Sequence, residues 1–166
     1  MGQPRVQAGV CRMKLSTKGR YAMVAMVDLA ILMRAVSGRH VSLAEIARRQ
    51  DVSQAYLEQL FVKLRRAGLV ESVRGPGGGY RLARDAALIR VSDVLEAVEE
   101  TINALETGAG ASGGVSGSQA QSMTNRLWES LSAQVYVFLH QTTLADIADN
   151  GLKPCPAVPD LFRVTA

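Results

Sequence analysis

The sequence predicts a mainly α-helical fold with one small β-hairpin and a long helix after it. Three observations predict this fold: a pair of short helical segments at about 43–66, a glycine-rich hairpin at 73–82, and a long apolar helix at 123–139. A helix pair followed at once by a hairpin is the order of a winged helix-turn-helix domain. The expected division is a disordered extension at 1–12, a winged helix-turn-helix domain at 13–90, dimerisation helices at 91–150 with a Gly/Ser-rich loop at about 108–118, and a C-terminal tail at 151–166.

The first predicted helix begins at Ser16 and Thr17, whose hydroxyls suit the cap position. Lys18 and Arg20 gather at its start, where positive charge and free backbone amides favour a phosphate. A basic, solvated helix start is the alternative interpretation. Mostly apolar residues recur at helical spacing along the segment: Tyr21, Val24, Ala25, Asp28, Leu29 and Leu32.

The helix pair has local start signals. Ser42 and Glu45 have the spacing of a capping box, in which each side chain satisfies a free backbone amide, so a helix is expected at about 43–50. A tight turn follows at 51–52, and Ser53 offers a second cap whose side-chain oxygen accepts an amide proton. Apolar residues then return at helical spacing: Leu57, Leu60, Phe61 and Leu64.

The second helix of this pair is the candidate recognition helix. In such motifs it lies in the major groove, and its N-terminal residues reach base edges. Glu58 suits a cytosine amino group, whereas Gln54 and Gln59 suit adenine. The candidate readers are Ser53, Gln54, Ala55, Tyr56, Glu58 and Gln59. Three cations near the far end either hold phosphates or complement the helix dipole: Lys63, Arg65 and Arg66.

The hairpin is the candidate wing. A tip that enters the minor groove must be thin and able to adopt positive φ, and consecutive glycines supply both properties. Arg74 stands at its base, where a guanidinium can enter a narrow minor groove. The glycines expected to lie against DNA are Gly75, Gly77 and Gly78. A flexible loop is the alternative; a phosphate-binding enzyme loop is excluded, because no Lys-Ser or Lys-Thr follows.

The charge is unevenly distributed along the chain. The formal net charge is +4, but residues 13–90 hold 14 Lys and Arg against 6 Asp and Glu, a net +8, while residues 91–166 hold 3 against 9, a net −6. A basic N-terminal part attracts the phosphates of duplex DNA.

The sequence has no run of eighteen apolar residues and no apolar signal-peptide core, and we expect a cytoplasmic protein without a membrane partner. It also lacks a convergent set of nucleophile, base and acid, so we expect no enzyme activity.

The acidic part is expected to carry self-association. A helix starting at Ser92 is predicted, with an apolar stripe of Val94, Leu95, Val98, Ile102 and Leu105. The segment 108–117 is too poor in apolar bulk to fold alone. The long helix after it has a broad apolar face that favours a homodimer, although packing back on its own domain is the alternative. The face consists of Leu127, Trp128, Leu131, Val135 and Phe138.

Three segments together resemble the Rrf2 family of winged-helix regulators: Lys14 to Ala22, Tyr56 to Phe61 and Val73 to Tyr80. The resemblance covers roughly residues 13–149 and implies a homodimeric transcription factor that binds a palindromic operator of iron-sulfur biogenesis genes, expected here to be a repressor. By position, Glu58 and Arg74 are implied in base and groove readout. Ala55 departs from the serine of well-known members, which puts one base contact in doubt.

The implied cofactor does not match this sequence. Family members of this type hold a [2Fe-2S] cluster with three cysteines and a histidine, but the interval 101–126 contains neither residue type, and Ser122 and Asn125 stand nearest two of the ligand positions. Hydroxyl and amide groups are poor substitutes for thiolate and imidazole. A cluster with non-standard ligands would need Cys155, with further donors from His140, from a carboxylate such as Asp146 or Asp149, or from the second subunit. The alternatives are an inert thiol at Cys155 and a His140 imidazolium that complements the dipole of the long helix. A cluster-free regulator controlled by a protein partner is the second functional hypothesis.

Overall fold

The computed structural model describes residues 16–35, 40–75, 77–100 and 119–152. Within these ranges the fold is mainly α-helical with one two-stranded antiparallel sheet, as predicted. The elements in chain order are α1 (Thr17–Ala35), α2 (Leu43–Gln50), α3 (Gln54–Arg66), β1 (Val70–Val73), β2 (Gly79–Leu82), a short 3₁₀ helix (Ala86–Leu88), α4 (Val91–Ala97), α5 (Gln119–Gln141) and α6 (Leu144–Ala148).

The helix-turn-helix forms where its local signals place it. The Ser42 hydroxyl oxygen accepts from the Glu45 amide at 3.2 Å, and α2 ends at Gln50, followed by the C-cap residue Asp51 in a left-handed conformation with φ 52°. The predicted side-chain hydrogen bond at the Ser53 cap is wrong. Ser53 occupies the cap position of α3, but its side chain makes no capping hydrogen bond. Its carbonyl accepts from the Leu57 amide at 3.1 Å, so the backbone starts the helix.

The wing is an antiparallel hairpin in the predicted place. Its register pairs Val70 with Leu82 and Val73 with Gly79, and an isolated antiparallel bridge joins Val41 to Tyr80. A Cβ atom on Gly79 would lie 2.6 Å from the Val41 carbonyl oxygen. Because backbone passes so close, glycine is required at this position for steric reasons.

One hydrophobic core joins α1, α2, α3, the wing, α4 and α6. Its large, fully buried members include Met26, Leu29, Phe61, Ile89 and Leu144. Asp28 is 4% exposed and accepts two hydrogen bonds of 3.0 Å from the Arg49 guanidinium Nε, which ties α1 to α2. The core therefore holds α3 and the wing in a fixed relation.

The predicted helix after Ser92 is shorter than its apolar pattern suggested. It begins at Val91 and ends at Ala97, and its stripe continues only to Val98, which is buried. Glu99 then takes φ 57°, which turns the chain out of the helix. Positions 102 and 105, expected in the same stripe, lie outside the described residues, as do the extension at 1–12, the loop at 108–118 and the tail from 153.

The long helix α5 runs from Gln119 to Gln141, somewhat longer than predicted, and packs against α4. The short α6 was not predicted, although Thr143 and Asp146 have capping-box spacing: the Thr143 hydroxyl oxygen accepts from the Asp146 amide at 3.1 Å, and the Asp146 carboxylate accepts from the Thr143 amide at 2.8 Å. No helix in the described ranges has both the length and the apolarity to cross a bilayer.

Candidate nucleic-acid interface

The N-terminal half of α3 presents the predicted readers on one surface. Ser53, Gln54, Ala55, Glu58 and Gln59 are all exposed. The opposite side of the helix is buried through Leu57, Leu60, Phe61 and Leu64. A helix anchored in this way offers its polar side to a groove without disturbing the core.

Two of these side chains contact each other. The Gln54 amide Nε2 donates to Glu58 Oε1 at 3.0 Å, one turn along α3. An i, i+4 contact of this kind limits the orientations that the Glu58 carboxylate adopts. Tyr56 is half-buried, and its ring packs edge-on against Tyr21 of α1 with centroids 5.8 Å apart. Tyr56 therefore braces α3 against α1, and only part of it faces solvent.

The wing tip has the backbone that the glycines predicted. Gly75 and Gly77 adopt φ 105° and 77°, in the left-handed region that favours glycine. The Gly78 amide donates to the Gly75 carbonyl at 2.9 Å, and a Cβ atom on Gly78 would lie 2.3 Å from the Val73 carbonyl oxygen. Arg74, next to β1, is exposed. The tip is thus narrow, with a guanidinium at its base.

Two contacts join the wing to the recognition helix. Arg65 Nη1 donates to the Ser72 hydroxyl at 3.2 Å, and the Phe61 ring packs edge-on against Tyr80 with centroids 4.9 Å apart. Ser72 was not singled out from the sequence, because nothing local links it to a residue of α3. These contacts fix the wing relative to the helix, which a reader of adjacent major and minor grooves requires.

The start of α1 contacts a carboxylate of the chain itself. The carboxylate of Glu100 accepts from the Ser16 amide at 2.8 Å and also from the Ser16 hydroxyl. Lys18 Nζ donates to the Glu99 carbonyl oxygen at 2.8 Å. Arg20 is exposed. A carboxylate of the chain itself, 84 residues away, thus takes the anion position at this helix end.

The cations at the far end of α3 also differ from one another. Lys63 Nζ forms an ion pair with Glu99 Oε2 at 2.7 Å, Arg65 contacts Ser72, and Arg66 is exposed.

The hydrogen bond from Lys63, and then its charge, lower the pKa of Glu99. Partial burial raises the pKa of Glu100, but hydrogen bonds from the side chain and backbone of Ser16 more than offset it and leave that pKa lowered. Both carboxylates are therefore ionised at neutral pH.

The apolar face of α5 is open in the single chain. Leu127, Leu131 and Phe138 are exposed, and Val135 is half-buried. The side chain of Trp128 lies outside the described part of the structure. In the described part of the chain, the α5 side chains of Leu127, Leu131 and Phe138 are therefore not covered by the chain's own domain.

Of the two candidate metal ligands, only His140 lies in the described structure, and its ring contacts other protein groups. His140 stacks on Tyr136 with centroids 5.6 Å apart, its Nδ1 lies 3.2 Å from the Ser92 hydroxyl, and its Nε2 contacts the Arg90 guanidinium. Both ring nitrogens therefore face protein groups. Cys155 lies outside the described residues, and within them no group of three His, Cys, Asp or Glu side chains could hold a metal ion.

Comparison with known proteins gives a consistent result. A sequence model of the Rrf2 family, described as an iron-dependent transcriptional regulator, matches residues 15–150. The HTH-type transcriptional regulator IscR of Cereibacter sphaeroides is 74% identical over 153 residues, covering 92% of this chain and 97% of that protein. The IscR of Escherichia coli O1:K1 is 46% identical over 138 residues, covering 83% of this chain and 82% of that protein.

Solved structures agree with the fold. The T. potens IscR structure matches with a TM-score of 0.66 at 36% identity, covering 93% of this chain and all of that one. The structure of CymR, the global cysteine regulator of B. subtilis, matches with a TM-score of 0.68 at 34% identity, covering 84% of this chain and 98% of that one.

Proposed function

Because the chain belongs to the Rrf2 family of iron-dependent transcriptional regulators, we propose that it is a cytoplasmic homodimer that represses iron-sulfur cluster assembly genes or other iron-responsive genes. The sequence-based assignment to this family is confirmed by the family match and by the similarity to IscR proteins. Its relatives are transcriptional regulators and not enzymes, and DNA binding is the activity that this chain shares with them. The operator, the sign of regulation and the signal belong to the proposal.

One observation carries the proposed mode of DNA binding: the exposed polar side of α3 and the exposed arginine of the wing lie on elements held together by direct contacts. In this proposal, residues 53–59 enter the major groove, where Glu58, Gln54 and Gln59 read base edges. Arg74 reaches the adjacent minor groove with Gly75, Gly77 and Gly78 close to the backbone. Lys18, Arg20, Lys63 and Arg65 supply the phosphate-facing cations of the same surface.

The exposed apolar face of α5 supports a homodimer. A two-fold symmetric pair would bury these faces against each other and present two recognition helices to two half-sites. Half-sites would then be centred about 34 Å apart, one turn of DNA, which predicts a palindromic operator.

The iron signal needs a ligand set other than the standard one. The three-cysteine, one-histidine site does not fit this chain, since the interval 101–126 has none of those residues. The similarity to IscR proteins supports an iron-sulfur signal, and our sensing proposal is a [2Fe-2S] cluster bound by Cys155 and other donors. Control by a protein partner without a cluster is the alternative, and it is favoured by the contacts that engage both nitrogens of His140.

DNA readout is tested with sites selected from a random duplex library. Changing Arg74 to alanine is expected to weaken binding to the selected site about 5- to 150-fold, because a groove contact of roughly 1–3 kcal/mol is lost. Glu58→Ala is expected to relax the preference at one base pair. Fluorescence anisotropy at fixed salt measures both effects.

Arg34→Ala is the matched control for the arginine variant. Arg34 pairs with Asp149 at the opposite end of α1 from Tyr21, which contacts the recognition helix. Its loss removes the same charge but is expected to change the dissociation constant less than twofold. Equal effects of Arg74→Ala and Arg34→Ala would show that the wing arginine contributes only general charge.

The cofactor proposal is tested by absorbance. Protein purified without oxygen is expected to absorb in the visible range as iron-sulfur proteins do, and the Cys155→Ala variant is expected to lose this absorbance, because thiolate is the firm iron ligand in such sites. Cys11→Ala is the control and should leave the spectrum unchanged. A colourless wild-type protein, or a coloured Cys155→Ala protein, would rule out Cys155 as a ligand and favour the cluster-free alternative.

A further inference from the structure

The end of α4 has an unusual residue for its backbone conformation. The Glu99 amide donates to the Glu96 carbonyl and the Glu100 amide to the Leu95 carbonyl, both at 2.9 Å, which is the Schellman pattern of a helix C-terminus. The residue in left-handed conformation at such an end is usually glycine and sometimes asparagine. Here it is Glu99, with φ 57°. A left-handed backbone conformation is energetically less favourable for glutamate than for glycine. This strain suggests a functional role for the Glu99 side chain.

The Glu99 side chain is directed at the recognition helix. Its Oε2 atom lies 2.7 Å from Lys63 Nζ, and its carbonyl oxygen accepts from Lys18 Nζ at 2.8 Å. Glu100 holds the start of α1 through Ser16, and its side-chain carbons lie 3.1 Å from where a Cβ of Gly19 would be. One short segment thus engages a cation of α1 and a cation of α3.

These two cations border the proposed DNA surface. Lys63 lies one helical turn after Gln59, and Lys18 lies less than one turn before Tyr21, which packs on Tyr56 of the recognition helix. Lysine ammonium groups at such places are the usual partners of DNA phosphates. In the free protein, Glu99 neutralises Lys63.

We infer that Glu99 is an intramolecular competitor of DNA phosphates for Lys63, an autoinhibitory contact that lowers DNA affinity. This inference rests on the proposed binding of α3 to DNA. Binding exchanges the Glu99 carboxylate for a phosphate oxygen on the same ammonium group, so part of the favourable phosphate contact is offset by the ion pair that breaks. Whatever displaces Glu99 from Lys63 therefore strengthens DNA binding, and whatever holds it there weakens binding.

The inference is tested by measuring dissociation constants for the selected duplex at several potassium chloride concentrations. Glu99→Gln is expected to bind about two- to fivefold more tightly than the wild type near 0.1 M salt, a size typical of one exposed ion pair. The DNA affinity of Glu99→Gln should also fall more steeply with salt than that of the wild type. In the wild type, salt weakens the competing Glu99–Lys63 ion pair as well as the DNA contact, and the two effects oppose each other. Glu99→Asn, a residue type tolerated in the left-handed region, should show the same gain.

A double-mutant cycle identifies the partner of Glu99. Lys63→Gln is expected to bind DNA more weakly, and Lys63→Gln/Glu99→Gln should show no gain over Lys63→Gln. Glu96→Gln removes the same charge from the exposed side of α4 and serves as the matched control, with an expected change below twofold.

The outcomes separate the inference from the proposed function. If the wild type binds no DNA, the proposed mode of binding fails. If the wild type binds but Glu99→Gln and Glu99→Asn bind no more tightly, the competitor role is wrong. A gain that persists without Lys63, or that Glu96→Gln reproduces, would show general electrostatics and would likewise overturn it.

Discussion

Replacing Leu131 and Phe138 of α5 with aspartate is expected to convert the protein into a monomer and to weaken binding to the full operator by about 10²- to 10⁴-fold. The two side chains are 42% and 60% exposed in the single chain. In the proposed dimer both would be buried, and an unpaired carboxylate there carries a large desolvation penalty. A monomer loses the second half-site contact, which in the dimer is intramolecular. Light scattering measures the mass, and anisotropy measures the affinity.

Ala133→Asp is the control for this double variant. Ala133 is exposed on the same helix and, two residues from Leu131, lies about 200° around the helix axis from it. It adds negative charge without entering the apolar face, so the protein should remain dimeric. If the Leu131→Asp/Phe138→Asp protein is still a dimer, another surface forms the interface. If it is a monomer with unchanged affinity for the full operator, readout by two copies is wrong.

Elements specified by short-range signals could be predicted from the sequence. The bounds of α2 follow from a serine cap, a glutamate three residues later and apolar spacing, all within 42–50. The wing follows from glycines that tolerate the φ values of Gly75 and Gly77. The exposed readers of α3 follow from the same periodicity that marks its buried side. In each case, local backbone chemistry and tertiary packing favour the same conformation.

Features that depend on distant partners could not be predicted. The apolar pattern after Ser92 continues beyond residue 98, yet α4 ends at Ala97. Glu99 turns out of the helix and pairs with Lys63, 36 residues earlier in the chain.

Two local signals also misled the prediction or were too short for it. The predicted cap at Ser53 failed because a serine at the cap position permits a side-chain hydrogen bond but does not require one. The short helix α6 has a capping box, but five residues are too few for a periodic signal.

The opposite charges of the two parts of the chain have a structural explanation. Three carboxylates of the acidic part pair with cations of the basic part: Glu99 with Lys63, Asp93 with Arg84 and Asp149 with Arg34. The acidic segments are thus docked on the DNA-binding domain by complementary charge as well as by the shared core. Arg20, Arg66 and Arg74 remain exposed toward solvent. These ion pairs neutralise part of the positive charge of the basic part and leave these three arginines exposed.

Replacing Phe61 with alanine is expected to lower the free energy of unfolding by about 3–5 kcal/mol, a large share of the roughly 5–15 kcal/mol typical of a folded protein. Phe61 is 0% exposed and contacts Tyr80 of the wing. The substitution leaves a cavity and removes an aromatic pair. Urea unfolding followed by circular dichroism measures the change.

Val62→Ala is the control, because Val62 is the next residue of the same helix but is 38% exposed. Its expected cost is below about 1 kcal/mol, since little buried area is lost. Phe61→Leu should recover part of the stability by refilling the cavity. The DNA affinity of this variant, measured under conditions in which it is folded, shows whether the aromatic contact also positions the wing. Similar costs for Phe61→Ala and Val62→Ala would mean that α3 is not anchored through this ring. The fixed relation of helix and wing would then have to come from the Arg65 contact with Ser72.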